Sequence, residues 1–184
     1  MILNVFIDRA WRHAGNSDEM SRLISLIFDD GRLRSSANSN SLAAGFNVSL
    51  SLSKTPHTDE NQVADNLLQV AINRSTGFGA LIWGVTMKSP RKGGIYDSVW
   101  ISDNPQPPNF DPQLISDPGY PLFHDPHSAL PLSQVRKALE EFCETGTGDR
   151  PECVNWIEGY FNGQRLDRDP IVNRLESAED RSPF

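Results

Sequence analysis

WISDNPQPPNFDPQLISDPGYPLFHDPHSALPLSQVRKALEEFCETGTGDRPECVNW, residues Trp100–Trp156, changes pattern three times in one run. A strand-like start gives way to a loop with prolines at 105, 107, 108, 112, 118, 121, 126 and 131. Proline fixes φ and lacks an N–H, so this density excludes a helix or a central strand over 103–131. Loops of this length in compact domains are usually functional or disordered. The aromatics Phe110, Tyr120 and Phe123 argue that this one packs down on the protein. A helix follows from about Pro131 to Thr145, with Leu132, Val135, Leu139 and Phe142 as one apolar stripe. Lys137, Glu140, Glu141 and Glu144 lie away from that stripe, and Gly146 is the stop. Val154–Ile157 reads as a short strand.

Outward from this stretch, residues 2–7 (Ile-Leu-Asn-Val-Phe-Ile) read as a first strand. Asn16 to Asp30 reads as a helix: Asn16 and Glu19 have capping-box spacing, and Met20, Leu23, Ile24, Ile27 and Phe28 recur at helical period. Gly31 would stop it, and 35–41 has the composition of a linker. Phe46, Val48, Leu50 and Leu52 alternate with Asn47, Ser49, Ser51 and Ser53, which predicts a strand with one wet face. Leu68, Val70 and Ile72 suit a strand, although Val63, Leu67 and Ala71 also suit a helix. The turn-like Thr76-Gly-Phe-Gly79 and the run Ala80–Met87 favour a hairpin there. Ile95–Ile101 reads as a further strand, and Trp11 has no evident element. About six strands and two helices without regular βαβ alternation predict an α+β fold: a mostly antiparallel sheet with the helices packed on one face. One domain over 1–163 is expected, followed by a polar, weakly attached tail over 164–184.

Hydrophobic residues make up 38% of 184 positions, which fits a globular chain with a polar fringe. No apolar run is long enough to suggest a membrane span, and the opening residues read as a strand rather than a signal peptide. Two cysteines, Cys143 and Cys153, are too few for a disulfide framework, so reduced thiols in the cytoplasm are expected. The sequons at Asn47 and Asn73 then carry no meaning. The net charge of −7 is uneven: residues 1–101 hold 10 Lys/Arg and 9 Asp/Glu, whereas 102–184 hold 7 and 15. A negative face repels nucleic acid and attracts basic partners, although a plain solvated surface has the same composition.

No reaction motif stands out. His124-Asp125-Pro-His127 offers two imidazoles and a carboxylate, but on a proline-broken loop and without an evident further ligand beyond Asp117 or Asp103. It is the basis of an alternative reading as a small metal-dependent hydrolase. Cys143 and Cys153 could join these histidines in a Cys2His2 set, yet Cys143 borders the apolar stripe and reads as a core thiol. Gly77-Phe-Gly79 and Gly146-Thr-Gly148 match no phosphate-binding pattern. Trp83 reads as core, and Trp100 and Trp156 as either core or partner anchors. A structural subunit that self-associates is a third reading. No cofactor and no catalytic residue is expected.

Five segments resemble a known family: Gly77-Phe-Gly-Ala-Leu-Ile-Trp83, Trp100-Ile-Ser-Asp-Asn-Pro105, the run Leu130–Phe142, Thr145-Gly-Thr-Gly-Asp-Arg-Pro151, and Val154-Asn-Trp156. Together, across roughly 67–158, they are similar to the first-numbered immunity-protein family of bacterial polymorphic toxin systems. The proline-opened helix followed by Thr-Gly, Arg-Pro and Trp is the most specific part. The resemblance implies a cytoplasmic protein that binds the catalytic domain of a cognate toxin, often a nucleic-acid deaminase. Such a domain grips a polyanion and so tends to be basic, and the acidic half of this chain is its expected complement. On that reading Asp103, Asp111, Asp117 and Glu158 would meet Lys and Arg of the toxin, with Tyr120 or Phe123 as an aromatic anchor.

Overall fold

The computed structural model describes residues 1–29, 45–60, 64–117 and 122–169. Its centre is an eight-stranded sheet in which every pairing is antiparallel. The strands are β1 (Ile2–Ile7), β2 (Ala10–Ala14), β3 (Phe46–Ser53), β4 (Asn66–Asn73), β5 (Phe78–Val85), β6 (Val99–Asp103), β9 (Leu130–Pro131) and β10 (Asn155–Gly159). Their order is β10-β6-β5-β4-β3-β1-β2. β9 lies against the start of β5, where Phe78 and Gly79 pair with Pro131 and Leu130. A separate hairpin joins β7 (Ile115–Asp117) to β8 (Leu122–Phe123).

The α+β architecture is the one the hydrophobic patterns predict. Leu3, Val5, Ile7, Val48, Leu50, Leu52, Leu68, Val70, Leu81 and Trp83 face one side of the sheet. Against them pack Ile24 and Ile27 of α1 (Ser17–Phe28) and Val135, Ala138, Leu139 and Phe142 of α2 (Leu132–Thr145). Each of these side chains is at most 2% exposed, so one continuous apolar layer stabilises the domain. Asn16 caps α1 by accepting from the Glu19 N–H, and Glu19 returns to the N–H of Gly15. Gly146 ends α2 at φ +64°, the left-handed conformation that glycine adopts without steric cost. The 66–73 segment is a strand, because its alternation continues the apolar layer from β3 to β5.

Several expectations need correction. Trp11 belongs to β2, whose turn from β1 uses Asp8 and Arg9 at φ +51° and +61°. Such turns favour Asn-Gly, so Asp-Arg gave no hairpin signal. Ile95 and Tyr96 lie in a 3₁₀ turn (Gly94–Asp97), and β6 begins only at Val99. The polar face of β3 is not wet at its end. Ser51 and Ser53 are buried, with Ser53 accepting from Asn4 and Ser51 Oγ 3.4 Å from His57 Nδ1. The segment from Gln164 is not loosely held at its start, because Arg165 is 4% exposed. Gly31, the linker at 35–41 and residues 170–184 lie outside the described residues. Among the described residues no helix is long and apolar enough to cross a membrane.

Candidate partner-binding site

The 103–131 loop is tied onto the sheet through backbone groups that its prolines leave free. Asn73 Nδ2 donates to Pro112 O at 2.9 Å, and Asn104 uses both its amide and its backbone N–H to hold Ala129 O and His127 O. Ser102 Oγ accepts from Leu81 N and donates to Ser128 O, so one hydroxyl fills the gap in the ladder beside β5. Leu114 and Ala129 are fully buried, and Phe110 meets Phe78 edge-on at 5.7 Å. Over its described residues the loop therefore packs down, held by these amides and by Leu114 and Ala129 more than by its aromatics, since Phe110 stays 48% exposed, and β7 rests over β3 and β4 on the face opposite the helices.

Among the described residues, two of the predicted contact residues point away from each other. The register Asn155↔Asp103 and Glu158↔Trp100 sends Asp103 and Glu158 to opposite faces of the sheet, because side chains alternate. Asp103 is already paired: its Oδ1 lies 2.7 Å from Arg165 Nη2, and Asp167 takes the same guanidinium. Burial works against the charge of Arg165, but the Asp167 and Asp103 carboxylates outweigh it and raise its pKa above the ordinary value. Glu158 is exposed and accepts from Ser98 Oγ. Asp111 caps the turn at Gln113 N, and Asp117 and Phe123 sit half-buried in the β7–β8 hairpin. Tyr120 lies outside the described residues.

The histidine loop does not assemble into a ligand set. His127 Nδ1 pairs with Asp125 Oδ1 at 2.9 Å, whereas His124 turns away and is 2% exposed. Burial pushes the His124 pKa down to about 4. Among the described residues no group of three or more His, Cys, Asp or Glu could hold a metal ion. Cys143 and Cys153 are free thiols, each pushed up to about 12, chiefly by burial, with neighbouring glutamates adding to it.

Two features went unread in the sequence. On the helix side, Arg150 lies 4.1 Å from the Trp100 ring centroid and 5.9 Å from that of Trp156. Both indoles are half-buried and fixed by their N–H groups, Trp100 to Ile95 O and Trp156 to Pro151 O. An arginine beside two held indoles is amphipathic, the chemistry that dominates interface energetics. Its signal was the Arg-Pro…Trp spacing, but nothing local reveals that Trp100 comes beside it. On the opposite face, a cleft of about 240 Å³ lies between Phe6 and the β7–β8 hairpin, lined by Asn47, Ser49, Gln69, Ser116 and His124.

A family model described as Immunity protein Imm1 matches residues 14–158 of the chain. No curated protein and no solved structure matches it.

Proposed function

We propose, from the premise that this chain belongs to the Imm1 immunity protein family, that it neutralises the catalytic domain of a cognate toxin by covering its substrate cleft in the cytoplasm. The observation that carries the reading is charge: residues 102–184 hold 15 Asp/Glu against 7 Lys/Arg, while residues 1–101 are nearly balanced. A toxin domain that grips nucleic acid, such as a deaminase, needs a basic cleft, and an acidic cover competes with the polyanion. Inhibition by occupancy needs no turnover and no cofactor. Asp111, Asp117, Tyr120 and Phe123 approach the toxin from the loop. Asp103 acts indirectly by holding Arg165, and Glu158 adds charge beside the Arg150 platform. The packing of the loop's described residues supports this reading, because a surface held before encounter loses less conformational entropy on binding.

The test is co-expression with the catalytic domain encoded by the adjacent upstream gene. Rescue of growth and a one-to-one complex on co-purification are expected. Continued toxicity without a complex would reject that pairing. Deaminase chemistry is tested separately, by assaying base conversion in nucleic acid exposed to the toxin domain alone.

A further inference from the structure

The cleft on the open face of the sheet holds polar atoms that no group among the described residues satisfies. Gln69 Oε1, Ser116 Oγ and His124 Nδ1 are each buried without a hydrogen-bond partner among the described residues. Ser116 is 9% exposed and His124 2%. The three come from separate parts of the chain: β4, β7 and the residue after β8. The fold converges them on one cleft of about 240 Å³, whose walls also include Ala71 and Ile82. Buried polar groups are nearly always paired, and leaving one unpaired costs as much as losing a hydrogen bond. Three unpaired around one opening is the pattern of a site awaiting a hydrogen-bonding group. Phe6, 37% exposed and leaning on Trp11 with ring centroids 5.0 Å apart, forms an apolar lip.

The lining also sets the chemistry of the occupant. Among the described residues it contains no Asp, Glu, Lys or Arg, and His124 is neutral at pH 7 because burial disfavours its charge. A charged group entering here would lose its hydration without gaining a counter-charge. The occupant is therefore uncharged. It must also donate to Gln69 Oε1 while accepting from the Ser116 hydroxyl or the His124 ring. A primary carboxamide does both in one planar group.

We propose that this cleft receives one uncharged carboxamide, supplied by an Asn or Gln side chain of the toxin domain. The source, though not the chemistry, rests on the toxin-binding reading above. The cleft adjoins the anchored loop, since Ser116 and His124 belong to it, so carboxamide insertion and the acidic loop form one continuous contact.

Two arms test this. The ¹⁵N-labelled full chain is titrated with acetamide and, separately, with acetate, its charged counterpart of similar shape. Saturable shifts at Ser116, the Gln69 side-chain amide and His124 are expected with acetamide, at concentrations about tenfold below any effect of acetate. Non-saturable shifts, or equal response to both, would overturn the carboxamide site. In the second arm, the co-encoded toxin domain is titrated against wild type, Gln69→Leu and Ser116→Ala, each first shown to keep the wild-type melting temperature. Each substitution is expected to weaken binding about tenfold. Toxin affinity within twofold of wild type in both variants would remove the toxin as the source while leaving the immunity reading intact. Acetamide binding without any toxin complex would keep the carboxamide site and count against the toxin reading instead.

Discussion

Arg165 Nη2 and Asp103 Oδ1 lie 2.7 Å apart although 62 positions separate them in the chain. The guanidinium is almost fully buried, and Asp167 Oδ2 lies 2.9 Å from the same nitrogen. This pair fastens the segment after β10 to the end of β6. Asp103→Asn should therefore lower stability by about 1–2 kcal/mol, because it leaves a buried guanidinium with one carboxylate fewer. Glu158→Gln, on an exposed side chain, should stay within about 0.5 kcal/mol. Urea denaturation of both variants checks this, and equal midpoints would show that Arg165 does not depend on Asp103.

His124 gives a pH dependence of known sign. Its folded pKa, about 4, lies below the ordinary 6.5, so between these values the unfolded chain binds a proton that the folded chain refuses. Stability is thus fully present above pH 6.5 and is lost as pH falls toward 4, by on the order of 3 kcal/mol from this group. Denaturation across that window in wild type and His124→Gln separates it from the carboxylates. The variant should show the shallower slope, and parallel slopes would mean that the folded protein protonates His124 readily.

Gly163 and Gly93 share φ +84° but not surroundings. A Cβ on Gly163 would lie 2.4 Å from Ser116 Cβ, whereas one on Gly93 meets nothing within 4 Å. Both Ala variants carry the left-handed backbone cost of roughly 1 kcal/mol, and only Gly163→Ala adds a clash. It should therefore be the less stable of the two by about 1–3 kcal/mol. Shifted amide resonances at Ser116 and His124 would accompany it. Equal melting temperatures would show that the 160–163 turn yields freely.

The thiols of Cys143 and Cys153, both pushed up to about 12, should stay protonated at pH 8.5. Iodoacetamide needs the thiolate, so native labelling should run at least about a hundredfold slower than labelling in guanidinium. Mass spectrometry of quenched samples gives both rates. Comparable rates would place the thiols in water.

Long-range charge should govern encounter with the toxin more than final affinity. Asp111→Asn with Asp117→Asn should slow association several-fold and flatten its salt dependence, with little change in dissociation. Stopped-flow mixing at several ionic strengths reads both, and an unchanged association rate would take the loop out of the contact.

The fold was legible wherever burial repeats with the period of the backbone. Val135, Leu139 and Phe142 announce α2, because one buried face suffices to set a period, whereas Leu68, Val70 and Ile72 left β4 open to a helical reading until the following turn and return strand decided it. β2 escaped that reading, since an edge strand with Trp11, Arg12 and His13 carries no such period and its turn lacks glycine. The acidic half and the segments that resemble the immunity family were likewise visible in residue order alone, and the family match over 14–158 agrees with them. Pairwise chemistry was not visible. Sequence made Asp103 and Glu158 equal candidates for one surface, and made His124, Asp125 and His127 a trio. Strand register parts the first pair, and the turn at Pro126–Ser128 leaves His127 on Asp125 while His124 goes inward beside Ser116. Local pattern fixes which face of an element is buried, because that depends on neighbours a few residues away. The contacts of Arg165 with Asp103 and of Arg150 with Trp100, and the meeting of Gln69, Ser116 and His124 around one cleft, depend on how distant strands align. Only the packed tertiary structure determines that alignment.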